Sequence, residues 1–97
     1  MSVQPPQDPG AVADLVAAAT LTVPGVTGLH AGSFGEVATY LPGRRVAGVR
    51  LGAERTEVHI AVAMGSPLLD VAAVVRDAVS PLVSTPVEVV VEDVTPL

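Results

Sequence analysis

The chain has 97 residues, 49% of them hydrophobic and 15% charged, too apolar for a disordered segment and sized for one domain around one small core. It has no cysteine, which excludes a disulfide framework, a thiolate zinc site, a cysteine-ligated iron–sulfur cluster and a cysteine nucleophile. Its formal net charge is −5, its only bases are five arginines, and Phe34 and Tyr40 are its only large aromatics; nucleic-acid binding needs clustered cations and stacking rings, and anionic membranes need cations, so both are argued against.

Residues 1–9 are proline-rich and aperiodic and read as a flexible leader; residues 10–97 read as a single domain. The start lacks the basic region of a secretory signal, and no apolar run approaches a membrane span. The expectation is a cytoplasmic protein with no direct membrane insertion, any membrane contact being made through a partner. Asp8 and Pro9 suit the N-cap and first position of a helix. From Ala11 to Leu21 the apolar residues Val12, Leu15, Val16 and Ala19 keep helical spacing, and Pro24-Gly25 stops it. Val23 to Ala31 predicts a strand entered through a turn. Residues 32–45 show no period and read as an extended loop, with room for a helical turn around Glu36 to Tyr40.

The second half alternates more cleanly. Val46 to Ala53 and Glu57 to Ala63 predict two strands, with Val58, Ile60 and Val62 on one face and Glu57, His59, Ala61 and Ala63 on the other. Ser66 as cap and Pro67 at the first position announce a second helix. Leu68, Val71, Ala72, Val75, Ala78, Val79 and Leu82 form its buried stripe, and Pro81 ends it. Val87 to Val94 closes as a strand, Val87, Val89 and Val91 opposing Glu88, Val90 and Glu92. The order α–β–β–β–α–β predicts an α+β two-layer sandwich, both helices on one face of a small mixed sheet. The other face displays Arg50, Glu57, His59, Glu88, Val90 and Glu92.

The chain offers no catalytic or metal-ligating set and implies no cofactor. His30 and His59 belong to no metal-binding spacing, and His59 beside Glu57 reads as a solvated cross-strand neighbour. Ser66 lacks a nucleophile elbow and is explained as a cap. Glu88 and Glu92 lie roughly 13 Å apart along a strand, too far for a coupled acid–base pair, and Glu92 and Asp93 should point to opposite faces. The glycines between Gly28 and Gly35 lack the pattern of a phosphate loop. What remains are candidate partner contacts: the Arg44-Arg45 pair, able to grip a carboxylate or phosphate, and the face carrying Arg50, His59 and Glu88.

The assembled pattern resembles the alkaline shock protein family of bacterial envelope stress response proteins. The residues that carry it are Val23-Pro24-Gly25-Val26, Phe34-Gly35-Glu36-Val37, Gly43-Arg44-Arg45 with Val46-Ala47-Gly48-Val49-Arg50-Leu51, the strand Glu57 to Ala63, Gly65-Ser66-Pro67, and Ser84-Thr85-Pro86 leading into Val87 to Val94. The alanine and valine richness suggests an actinobacterial member. The resemblance implies a non-enzymatic cytoplasmic scaffold in cell-envelope homeostasis, self-associating and held beneath the membrane by a membrane-anchored protein partner. Two other classes compete ahead of an enzyme with an unrecognised site: a small iron–sulfur assembly-like domain, which generally needs a cysteine where this chain has Gly65-Ser66, and a KH-like RNA-binding module. Gly25-Val26-Thr27-Gly28 has the letters of the KH loop but precedes a strand, in an acidic chain.

Overall fold

Asp8 lies in extended backbone, and its carboxylate accepts the N–H of Ala11 at 3.0 Å. With Pro9 next, this opens α1 (Pro9–Leu21) as the sequence predicts. The structure, a computed structural model, describes residues 8–96, so most of the expected leader lies outside the described residues. Then come β1 (Val26–Leu29), β2 (Ala38–Leu41), β3 (Arg44–Ala47), β4 (Val49–Leu51), β5 (Thr56–Ala63), α2 (Leu68–Val79), a 3-10 turn at Ser80–Leu82, and β6 (Val87–Thr95).

The main sheet is built around β5, where β-branched Thr56, Val58, Ile60 and Val62 take alternate positions and line one face. Along one side β6 pairs with it in parallel, joined by the crossover through α2. The other side is shared by two short antiparallel strands, β4 opposite residues 56–58 and β1 opposite residues 60–62. His59 sits at the join, donating its backbone N–H to Gly48 at 2.8 Å and accepting that of His30 at 2.9 Å.

Val58, Ile60 and Val62 point to the helix side and are fully buried. Ala13 and Val16 of α1 and Val71, Val75 and Val79 of α2 pack over them in one cluster with Val49. Each buried valine or isoleucine among them stabilises the fold by about 1.5–3 kcal/mol before entropy is counted. Thr20, buried in the helix face, donates its hydroxyl to Val16 at 2.8 Å. This is the expected α+β arrangement, helices packed against a mixed sheet.

Several local expectations are corrected. Residues 32–45 are not merely a loop, because β2 and β3 form a two-stranded hairpin closed by Pro42-Gly43, with Gly43 at φ +75°. Proline followed by a positive-φ glycine is the residue pattern of a type II turn. The expected strand Val46 to Ala53 is broken at Gly48, φ +83°, into β3 and β4. The hairpin is pinned across that break, Gly48 donating its N–H to Val37 at 2.8 Å and Thr39 its hydroxyl to Val49 at 2.6 Å. Pro67, rather than Ser66, occupies the N-cap of α2 with no side-chain cap, and Leu68 of the expected stripe is exposed. Asp70 in the first turn and Arg76 in the last complement the helix dipole instead.

The register of β6 slips once. Ile60 stands opposite Val91 but Ala61 opposite Asp93, leaving Glu92 as an extra residue. Without it, alternation would turn Val94 away from the helices; with it, Val94 returns opposite Val62. Asp93 then shares the outer side with Ala61, so Glu92 and Asp93 do not diverge to opposite faces as simple alternation predicts.

Candidate functional site

The outer face of the sheet carries a chain of charged side chains that sequence alternation only half reveals. β5 contributes Glu57 and His59, two residues apart and therefore on one side. Arg50 stands opposite Glu57 on β4 and Glu88 opposite it on β6. The bulge brings Glu92 to the ring of His59, with Nδ1 2.7 Å from one carboxylate oxygen. The other ring nitrogen, Nε2, lies 3.3 Å from Glu57. Glu57 also accepts from Arg50 at 3.4 Å, and Arg50 donates to the backbone oxygen of Glu36 at 3.1 Å.

His59 is not the solvated neighbour expected from the sequence, since only 7% of it is accessible. Each of its nitrogens is engaged by a different carboxylate, and the ring donates to whichever oxygen faces a proton it carries. The two carboxylates approach from opposite ends of the imidazole and do not converge on a common point. Among the described residues no group of three or more histidine or acidic side chains is arranged to hold a metal ion. The cluster is a closed network rather than an open set of ligands.

The two arginines expected to act together are separated. Leu41 pairs with Arg44 and Tyr40 with Arg45, and alternation along β3 sends the two side chains to opposite sides. Arg44 makes a bidentate pair with Asp14 of α1, at 3.1 and 3.0 Å. The hydrogen bonds that Arg44 donates to Asp14, and then the charge of that carboxylate, raise the guanidinium pKa above its ordinary value. Arg45 donates to the backbone oxygen of Gly35 at 3.0 Å. No joint grip on an external anion results. Glu88 pairs with Arg55 at 3.5 Å on an exposed part of the face.

Of the five candidate contact residues, the structure therefore brings Arg50 and His59 together through Glu57, sets Glu88 beside them, and leaves Arg44 and Arg45 on the hairpin. Sequence reasoning missed Glu92 as the second partner of His59. Its presence on the outer face was legible; its pairing with the ring, at the bulge, was not.

A cleft of about 620 Å³ opens between the start of α1, the hairpin and the 3-10 turn. Val12, Leu51 and Leu82 give it apolar walls and Tyr40 stands at its side, 66% exposed. Its threonine hydroxyls are partnered, Thr39 with the backbone of Val49 and Thr56 with Thr85 at 2.8 Å. A second, shallower apolar groove of about 430 Å³ runs between the exit of α1 and the start of α2, along Val23, Pro24, Val71 and Val74. No described helix is long and apolar enough to cross a membrane. No protein-family model, curated protein or solved structure matches the chain.

Proposed function

We propose that this is a non-catalytic interaction domain of the cell envelope, working in the cytoplasm as a self-associating scaffold held at the membrane by a membrane-anchored protein. The observation that carries the reading is the closure of the Arg50–Glu57–His59–Glu92 network. The one buried histidine has both nitrogens taken up by neighbouring carboxylates, and a general acid or base must instead be free to reach a substrate proton. The guanidiniums of Arg44 and Arg45 are likewise tied to Asp14 and to Gly35. Among what the fold turns outward are large apolar side chains, such as Phe34, Tyr40 and Leu69, and a strand edge, the materials of protein–protein contact.

The envelope setting and the membrane-anchored partner come from the resemblance to the alkaline shock proteins. They are tested by fractionating native cells that express a tagged copy, with crosslinking and mass spectrometry of the co-purifying proteins. Recovery at the membrane with one integral-membrane protein is the expected result. Recovery wholly in the soluble fraction with no membrane protein attached overturns the envelope reading.

A further inference from the structure

We infer that β6 is a docking edge for an extended segment of a partner protein in which basic and aliphatic residues alternate. The inference rests on the interaction-domain reading and adds the surface and the chemistry of what it takes. Among the described residues β5 is the only strand that pairs with β6, so its far side is an edge nine residues long. In a parallel ladder alternate residues aim both backbone groups at one neighbour. Pro86 and Thr95 give their carbonyls to Thr56 and Met64 of the β5 side, which sets the phase: Val87, Val89, Val91 and, beyond the bulge, Val94 aim theirs outward. The N–H of Val94 is occupied by Asp93 at 2.9 Å. The open run is Val87 to Val91.

Side chains define the occupant. No residue of β6 is fully buried, whereas most of β5 is; the valines of β6 only partly pack against the core, and an added strand would finish covering them. α1 packs toward β1 and β4 and α2 toward β6. Val71 and Val74 border the groove toward Val23 and Pro24, so at 100° per residue Leu69 and Ala72 fall on the flank over the open edge. Leu69 is 87% exposed there. Arg76 follows on the same flank. On this helix side the partner strand meets apolar groups and a cation, and aliphatic side chains fit.

On the opposite side β6 carries Glu88, Glu92 and Asp93 and no base. A second copy would add three more carboxylates to that face, and like charges across a ladder are destabilising. Glu92 is held by His59. Glu88 shares only a solvent-exposed pair with Arg55 at 3.5 Å, and Asp93 is exposed with one carboxylate oxygen on the Val94 N–H. Lysine or arginine at alternate positions of the incoming strand meets these two acids instead, giving the period-two pattern that strand addition reads.

The test uses the whole chain, isotope-labelled for NMR, and an end-blocked peptide of alternating lysine and valine as long as β6. Three comparison peptides are used: one carries glutamate in place of lysine, and two carry N-methyl groups, each on one of the two alternate sets of amides. The expected result is that amide signals of Val87, Val89 and Val91 shift with the lysine peptide. The glutamate peptide should bind at least about tenfold more weakly. One N-methylated form should lose binding while the other keeps it. Glu88→Lys, at an exposed site, should weaken the lysine peptide about tenfold with the fold intact. Shifts confined to the groove of Val23 and Val74 would overturn the inference. So would a dimer of the free chain that already shields the Val89 N–H. No binding by a chain that still co-purifies with a membrane protein would overturn the docking edge alone and leave the scaffold reading standing.

Discussion

Gly48 accepts the backbone N–H of His59 at 2.8 Å, and this one bond ties the hairpin to the centre of the sheet. Gly48 is where β3 gives way to β4, at φ +83°. His59 is where the neighbour of β5 changes from β4 to β1. The kink in one strand thus meets the gap between the two strands that share the opposite side. A Cβ on Gly48 would lie 2.8 Å from Cβ of Leu29 and 3.0 Å from both the nitrogen of His30 and the oxygen of His59. Both the conformation and the space call for glycine.

Gly48→Ala is therefore expected to cost about 3 kcal/mol or more, combining left-handed strain with a clash against backbone. Gly43→Ala meets open space at a similar φ, and only the strain of about 1–2 kcal/mol applies. Urea unfolding of both variants checks this, and equal losses would remove the close approach as the reason for Gly48.

His59→Ala should destabilise by about 2–4 kcal/mol, because it leaves the carboxylates of Glu57 and Glu92 facing one another without the ring between them. The double variant that also carries Glu92→Gln should recover part of that loss. Chemical denaturation of the single and double variants measures the coupling; strict additivity would show that the ring and Glu92 act independently.

Ile60 is the largest fully buried side chain. Ile60→Val is expected to cost about 1 kcal/mol and Ile60→Ala about 2–5 kcal/mol, the deeper cut leaving a cavity beneath both helices. Unfolding midpoints at unchanged m-value report it. A small loss for Ile60→Ala would mean that the helices settle inward and fill the space.

Asp8→Ala should cost about 1 kcal/mol, since the N–H of Ala11 loses its acceptor, while Asp8→Asn should retain most of the stability. Thermal denaturation at fixed pH separates the two. Equal losses would point to the charge at the helix start rather than the hydrogen bond.

What the sequence announces well are features written in local chemistry. Asp8-Pro9 states the start of α1, the alternation of Val58, Ile60 and Val62 states the buried side of β5, and Val71, Val75 and Val79 state the face of α2. The hairpin was harder to see because Ala38–Leu41 and Arg44–Ala47 are only four residues each, too short for alternation to stand out, and Pro42-Gly43 reads equally as a loop. Ser66 looks like a cap by type, yet Pro67 takes that place. For the polar network, Glu57 and His59 are a visible pair. Glu92, two residues beyond the Val90 that stands opposite His59, meets the ring at the point where β6 bulges, and no residue type at that point demands a bulge. The separation of Arg44 from Arg45 follows from alternation, once β3 is known to be a strand.

The divided flank of β5 bears on how the folded molecule opens. The N–H groups of residues 57, 59, 61 and 63 face that flank, as those of His59 and Ala63 show by bonding to Gly48 and Gly25. Those of 56 to 62 at even positions face β6. On the divided flank β1 can peel away while β4 stays, or the reverse, so hydrogen exchange there should sort into two independent groups, Glu57 with β4 and Ala61 and Ala63 with β1. The β6 flank has a single neighbour, interrupted only by the bulge at Glu92. Its amides on the Thr56 to Ile60 side of that bulge should exchange together, and their common release to solvent marks the departure of β6.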